Sequence, residues 1–274
     1  MNRLLEKFLS GEEKTAGMEV NFYKYQGTGN DFVMIDNRDG SFDGSNLDLV
    51  RRLCDRKFGI GADGLIAIQP HPDYDFEMVY FNADGSQSMC GNGARCAVAF
   101  SAFLGITEGK TNFLAIDGPH DAVLSGSQVE LLMGDVKGIE QRSGDFFVNT
   151  GSPHHVRFIE EADGYPVFEE GRSVRYDAGY APAGTNVNFV QPLADDEVFV
   201  RTYERGVENE TLSCGTGVTA AAIVHGAKRN QNSVKINTLG GELSVRFHSN
   251  PDGSFREIWL IGPAVQVFAG KINI

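Results

Sequence analysis

The chain is short of positive charge, of cysteine and of long apolar runs, and each shortage removes a class of function. Twenty-four Lys and Arg stand against 37 Asp and Glu, a formal net charge of -13. With a pI near 4.9, no basic stripe is left to meet a phosphate backbone or an anionic lipid surface, which argues against nucleic-acid and membrane partners. No apolar run approaches the roughly 18 residues that cross a bilayer. The opening MNRLLEKFLSGEEKTAG is too acidic and too poor in apolar residues for a secretory leader, so a cytoplasmic setting is expected. Only 4 cysteines occur in 274 residues. Without a secretory signal they make no disulfide framework, and no pair has zinc-site spacing. Free thiols and no metal are the expectation.

Two of those cysteines head related stretches nearly half the chain apart, CGNGARC from Cys90 to Cys96 and CGTGVTA from Cys214 to Ala220. Each continues Gly-x-Gly into small and apolar residues at helical spacing, so each cysteine is expected at a helix start. Unpaired backbone N–H groups and the positive end of the helix dipole favour anions there and lower a thiol's pKa.

Residues 1–17 read as an extension, tag or fringe helix, with Met18 as an ancestral start opening the strand MEVNFYKYQ. A glycine-rich turn, Gly27 to Asn30, leads into the strand Phe32 to Asp36; it is an ordinary hairpin turn or a place where backbone meets a ligand. Ser45 or Asn46 caps a helix predicted over Leu47 to Lys57, whose apolar face buries Cys54. The following GIGADG matches a dinucleotide fingerprint letter for letter, but a helix precedes it and a strand follows, the reverse of what that fingerprint needs. A tight helix-to-strand loop is expected instead. Beyond it the chain is β-rich, with strands around Phe76 to Phe81, Asn112 to Ile116, Ala122 to Leu124, Val129 to Met133, Phe146 to Asn149 and His155 to Ile159. His154 lies in the turn TGSPHH and titrates near neutrality unless its site shifts it. Asn188 falls in the strand GTNVNFVQ, and DEVFVRTYERG delivers Glu204 and Arg205 just ahead of Cys214. Four further strands, ending with Val265 to Phe268, close the chain.

An approximate repeat emerges. In each half an alternating strand ends in a polar binding candidate (Asn82; Glu204 and Arg205), a polar loop follows, and then Cys-Gly-x-Gly opens a small-residue helix. One copy per domain, related by a pseudo-twofold axis, sets two helix N-termini face to face across a cleft. Two opposed thiols with a carbon between them suit removal of a proton from one face of a stereocentre and its return to the other. No cofactor is needed in principle. Backbone N–H groups at Gly91-Asn92 and Gly215-Thr216 can hold the substrate carboxylate and stabilise developing charge. Cys96, six residues on, is expected to be packed.

GTGNDF, FNADGS, CGNGARC, SPH, NVNF, YERG and CGTG occur in the order found in the diaminopimelate epimerase family, which the chain resembles from about Met18 to its end. That resemblance implies a cofactor-independent isomerase interconverting LL- and meso-diaminopimelate, on the route to lysine and cell-wall peptide. It implies an α+β fold of two pseudo-symmetric lobes, each a curved mixed sheet around a central helix. Residues 18–134 with 263–274 would form the lobe carrying Cys90, and 135–262 the lobe carrying Cys214. Carried over by position, it makes Cys90 and Cys214 the acid/base pair. Gly91, Asn92, Gly215 and Thr216 would hold the reacting carboxylate, and Asn30, Asn82, Asn188, Glu204 and Arg205 would bind substrate, Arg205 gripping the distal carboxylate with its planar fork. His154 and Glu204 would tune the thiols, and a homodimer is implied. Three departures stand out: Gly64 where some members place a substrate-contacting glutamine, Ser152 where asparagine is usual, and Phe268 where some carry a dimer-contact tyrosine.

Three alternatives remain. A racemase of the same fold acting on proline, hydroxyproline or another amino acid would keep both thiols, although Arg205 with several asparagines suits a substrate zwitterionic at both ends. An isomerase of the phenazine-biosynthesis type lacks the cysteine pair. A binding protein whose buried cysteines merely start helices would turn over no amino acid.

Overall fold

The computed structural model describes residues 19–273; the expectations for residues 1–17 and for Met18 lie outside the described residues. The first half runs β1 (Glu19–Gly27), β2 (Asn30–Asp36), α1 (Leu47–Cys54), β3 (Gly64–Gln69), β4 (Phe76–Asn82), α2 (Gly91–Phe103), β5 (Lys110–Ala115), β6 (Gly118–Ser125) and β7 (Gln128–Met133). The second runs β8 (Glu140–Arg142), β9 (Asp145–Asn149), β10 (Pro153–Phe158), α3 (Val167–Arg175), β11 (Asn186–Ala194), β12 (Glu197–Glu204), β13 (Asn209–Thr211), α4 (Gly215–Arg229), β14 (Ser233–Thr238), β15 (Gly241–Ser249) and β16 (Phe255–Pro263). β17 (Val265–Asn273) returns to pair with β1.

The repeat seen in the two cysteine motifs extends to the strand order around them. From β1 to β7 successive pairings run antiparallel, parallel, antiparallel, parallel, antiparallel, antiparallel. The ladder β9-β10-β11-β12-β14-β15-β16 repeats that order step for step. Each parallel pair needs a crossover: α1 and α2 serve in the first half, α3 and α4 in the second. β7 and β16 pair antiparallel and join the two halves into one sheet.

α2 and α4 are apolar or small nearly all round, the composition of a helix wrapped on every side. Ala94, Cys96, Ala97, Val98 and Phe100 pack against Phe32, Ile66, Phe76, Met78 and Phe113, whereas Val218, Ala221, Ile223 and Val224 pack against Val156, Val190, Val200 and Ile236. Alternation in β4 explains how the strand serves two layers: Phe76, Met78 and Tyr80 face α2, while Phe81 turns to the cluster that buries Cys54 under α1.

Local chemistry moved some element boundaries. α1 is capped by Asn46, whose side chain accepts the Leu49 N–H, and it stops at Cys54 rather than Lys57. Asp55 turns extended and its carboxylate takes the Lys57 and Phe58 N–H groups at 2.7 and 2.8 Å, an Asx-type competitor to the helix. Gly59 then folds back so tightly that a Cβ would lie 1.8 Å from the Arg52 carbonyl oxygen. α3 was not anticipated: Gly171 interrupts its pattern, yet it is the residue that lets the helix lie on Tyr203, 2.4 Å from where a Cβ would stand. The short β8 and β13 also escaped notice, and β17 runs on to Asn273 rather than ending at Phe268.

Candidate active site

The starts of α2 and α4 abut. A Cβ on Gly215 would lie 3.7 Å from the Gly91 Cα, and one on Gly91 4.0 Å from the Gly215 Cα. A Cβ at either position would only touch the facing glycine; the tight neighbour is the Leu260 side chain, 3.1 Å from a Cβ at Gly215. Asn92 ties the junction from the α2 side, donating from Nδ2 to the Ser213 carbonyl at 3.2 Å and to Asn30 Oδ1 at 3.4 Å. Cys90 and Cys214 are the N-cap residues of the two helices, both in extended conformation, and neither side chain caps its helix. All four cysteines are free.

The helix starts were expected to lower the thiol pKa values. Burial wins instead, pushing Cys90 up to about 11 and Cys214 upward as well, with the nearby Glu204 charge adding to both. Backbone N–H groups of Asn92 and Gly93 at Cys90, and of Gly217 at Cys214, oppose the rise without cancelling it. Both sulfurs are accordingly protonated near neutral pH in the free protein. The Cys90 thiol donates to Asn30 Oδ1 at 3.4 Å, and Asn30 is held in turn through Nδ2 to Asp63 Oδ2 at 2.7 Å. Cys54 and Cys96 are buried, each pushed up to about 12 by burial, as packed thiols should be.

A chain of hydrogen bonds ends at Cys214. Asn188 is 0% exposed; its oxygen accepts from Thr202 Oγ1 at 3.0 Å, and its amide group donates to the His155 carbonyl at 3.0 Å and to His154 Nδ1 at 3.1 Å. His154 must then carry its proton on Nε2, which donates to Thr216 Oγ1 at 2.9 Å. The Thr216 hydroxyl in turn lies 3.6 Å from Cys214 Sγ, a contact in which either group can donate. His154 therefore lies in β10 rather than in a turn, fully buried, and burial pushes its imidazole down to about 3. Asn188 was expected on the substrate. Here it has no exposed surface, and its amide is engaged on Thr202, the His155 carbonyl and His154.

The residue on that strand that faces Arg205 is Asn186, one pleat earlier, about 7 Å along the chain. Asn186 accepts the Arg205 backbone N–H at 2.8 Å and donates to Ser152 Oγ at 3.3 Å. The strand period places residues 186 and 188 on one face, with the earlier one at the strand's open end, the signal by which Asn186 is found. Among the described residues the Arg205 guanidinium makes only long contacts, 3.4 Å to the Ala183 carbonyl and 3.5 Å to Ser152 Oγ. None of these acceptors is a carboxylate. Glu204 accepts from Thr211 Oγ1 at 3.0 Å and is raised by burial. Asn82 accepts from the Tyr80 hydroxyl at 2.8 Å and donates to Ser86 and Ser88. Gly64 lies opposite Asn82, and a Cβ there would stand 2.5 Å from both the Phe81 carbonyl and the Tyr80 ring. The tyrosine fills the space a side chain at 64 would need.

A family model described as diaminopimelate epimerase matches residues 22–137 and 146–267. A curated diaminopimelate epimerase of Flavobacterium psychrophilum is 50% identical, covering 92% of this chain and 100% of that protein. One from Aquifex aeolicus is 40% identical over 93% and 98% of the two chains. Among solved structures, a phenazine biosynthesis protein of the PhzF family from Bacillus anthracis superposes with a TM-score of 0.76 at 12% identity, covering 94% of this chain and 100% of its own. A hydroxyproline epimerase from Agrobacterium vitis gives 0.66 at 13% identity, covering 93% of each chain. At such identities the structural likeness speaks for the fold alone.

Proposed function

The chain belongs to the diaminopimelate epimerase family, and from that premise we propose that it interconverts LL- and meso-2,6-diaminopimelate without a cofactor, in lysine and peptidoglycan precursor synthesis in the cytoplasm. The observation that carries the mechanism is the meeting of two Cys-Gly helix starts at Gly91 and Gly215. One cysteine, having released its own proton to solvent, takes the α-proton as a thiolate from one face of the substrate carbon; the other, as thiol, delivers a proton to the opposite face. The pair exchanges roles when the reaction runs backward. Backbone N–H groups at Gly91-Asn92 and Gly215-Thr216 hold the α-carboxylate and the charge that spreads onto it. Arg205, with no carboxylate among its hydrogen-bond acceptors, takes the distal carboxylate in a two-pronged grip beside Asn186 and Ser152, and Asn30 and Asn82 line the Cys90 side. Glu204 and the Asn188-His154-Thr216 chain set the protonation of the thiols. The lobes we propose are 18–134 with 263–274, and 135–262; each contains one buried helix with its own core, and β17 pairs with β1 of the first. A homodimer through β17 fits the exposed apolar Val265, Val267 and Phe268 on that strand.

The test follows hydrogen. In D₂O, first-turnover product should carry deuterium at the inverted carbon while unreacted substrate stays protonated, in both directions. Cys90→Ala and Cys214→Ala should each abolish epimerisation and leave at most slow exchange on one face. Substantial return of the original hydrogen to product, or full epimerisation by either variant, would defeat the two-thiol mechanism.

A further inference from the structure

Arg95 lies one turn into α2 with its side chain 0% exposed. Its two hydrogen bonds both leave from Nη2, to Thr28 Oγ1 at 3.2 Å and to Asn92 Oδ1 at 3.0 Å. Both acceptors are neutral, and Nε and Nη1 find no acceptor among the described residues. Backbone closes over the group from two strands: a Cβ at Gly262 would lie 3.3 Å from Arg95 Nε, and one at Gly27 3.3 Å from Nη2. A buried cation with neither counter-ion nor full hydrogen bonding is among the most costly placements in a protein, and an apolar side chain of similar volume would be more stable there.

The missing negative charge is the one the reaction brings. A thiolate, the substrate carboxylate and the developing carbanion all arise at the helix starts one turn away. Arg95 reaches that place through Asn92. Its Nη2 holds Asn92 Oδ1, which fixes Asn92 Nδ2 on Asn30 Oδ1, the atom that also accepts the Cys90 thiol. When Cys90 gives up its proton, Asn92 keeps Asn30 satisfied and the guanidinium faces a net negative charge. The other charged or titratable groups around Cys90 work the opposite way or are neutral: Glu204 from β12 disfavours its thiolate, Tyr80 on β4, Cys96 on α2 and Cys214 on α4 stand protonated, and Asp63 is engaged by Arg56 and Asn30.

We propose that Arg95 is the internal counter-charge of the Cys90 thiolate, a positioning residue that never touches substrate but makes removal of the Cys90 proton less costly. The proposal rests on the reading of Cys90 as acid/base.

The measurement is the pH dependence of Cys90 alkylation by iodoacetamide, read from the mass of the Cys90 peptide, in the full-length wild type, Arg95→Met, Arg95→Gln and Arg95→Lys proteins. Thermal melting and steady-state kinetics on LL-diaminopimelate accompany it. Arg95→Met should move the alkylation midpoint up by about one pH unit and lower kcat by about tenfold, because the thiolate fraction below its pKa falls tenfold per unit. KM should stay within about threefold, and Tm should hold or rise, as expected when an unpaired buried charge is removed. Arg95→Lys, which keeps the charge, should hold the midpoint near that of the wild type. An unmoved midpoint in Arg95→Met, equal shifts in the Met and Lys proteins, or failure of both Arg95→Met and Arg95→Gln to fold would each overturn the proposal. Undiminished epimerisation by Cys90→Ala would defeat the underlying reading of the thiol instead.

Discussion

His154 shows how a residue with an ordinary pH-switch chemistry can be put to a fixed use. Buried against Asn188 and Thr216, its imidazole is pushed down to about 3 and stays neutral across the physiological range. A neutral imidazole with its proton held on Nε2 points one donor at Thr216, and so positions the hydroxyl that contacts Cys214. A charged imidazolium would lose the Asn188 bond and face the Arg205 charge that already disfavours it. The sign for stability follows from a folded-state pKa below the unfolded value of about 6.5. The contribution is fully present above pH 6.5 and is lost as pH falls toward 3, at no more than about 1.4 kcal/mol per pH unit for one proton. We expect the His154 imidazole NMR signals to stay put between pH 5 and 8, and His154→Gln to flatten the fall in unfolding free energy between pH 6 and 4. A His154 signal titrating near 6.5 would refute the assignment.

At the scale of elements, the two Cys-Gly-x-Gly helix starts have unequal surroundings. A Cβ on Gly93 would lie 3.0 Å from the end of the Ile66 side chain, which can shift, whereas one on Gly217 would lie 2.4 Å from Asn188 Oδ1, an atom pinned by Thr202. Gly217→Ala must therefore displace Asn188, and with it His154 and Thr216. We expect it to cost about 1–3 kcal/mol of stability, the usual range for overpacking, and to reduce kcat far more than the matching Gly93→Ala. Equal effects of the two substitutions on kcat would show that the Asn188 chain does not serve Cys214.

At the scale of the molecule, the two matching ladders meet at β7 and β16, so the abutting starts of α2 and α4 belong to one continuous sheet. The chain closes on itself through β17, which pairs with β1 on one side and leaves Val265, Val267 and Phe268 exposed. An exposed apolar edge strand invites a partner strand. Sedimentation at micromolar protein should give a dimer, and Val267→Lys with Phe268→Glu should shift it toward monomer. A monomeric wild type would remove the dimer reading.

What the sequence determined alone was the chemistry and its repetition. Cys-Gly-x-Gly ahead of small residues dictates a helix start with a cysteine at its cap, and period-2 alternation in the strands around Phe76 and Val198 dictates which side chains turn inward. These are local rules, acting over a few residues, so they can be read from a string. Tertiary structure decided what depends on distance. It set the thiol pKa values, because burial outweighed the helix start that had been expected to lower them. It put Asn188 behind His154 and left Asn186 beside Arg205, a choice between two asparagines on one strand face that only the depth of each in the sheet could make. It also enclosed Arg95 with no counter-ion among the described residues, since the strands that close over it, at Gly27 and Gly262, are brought together only when the two halves share one sheet.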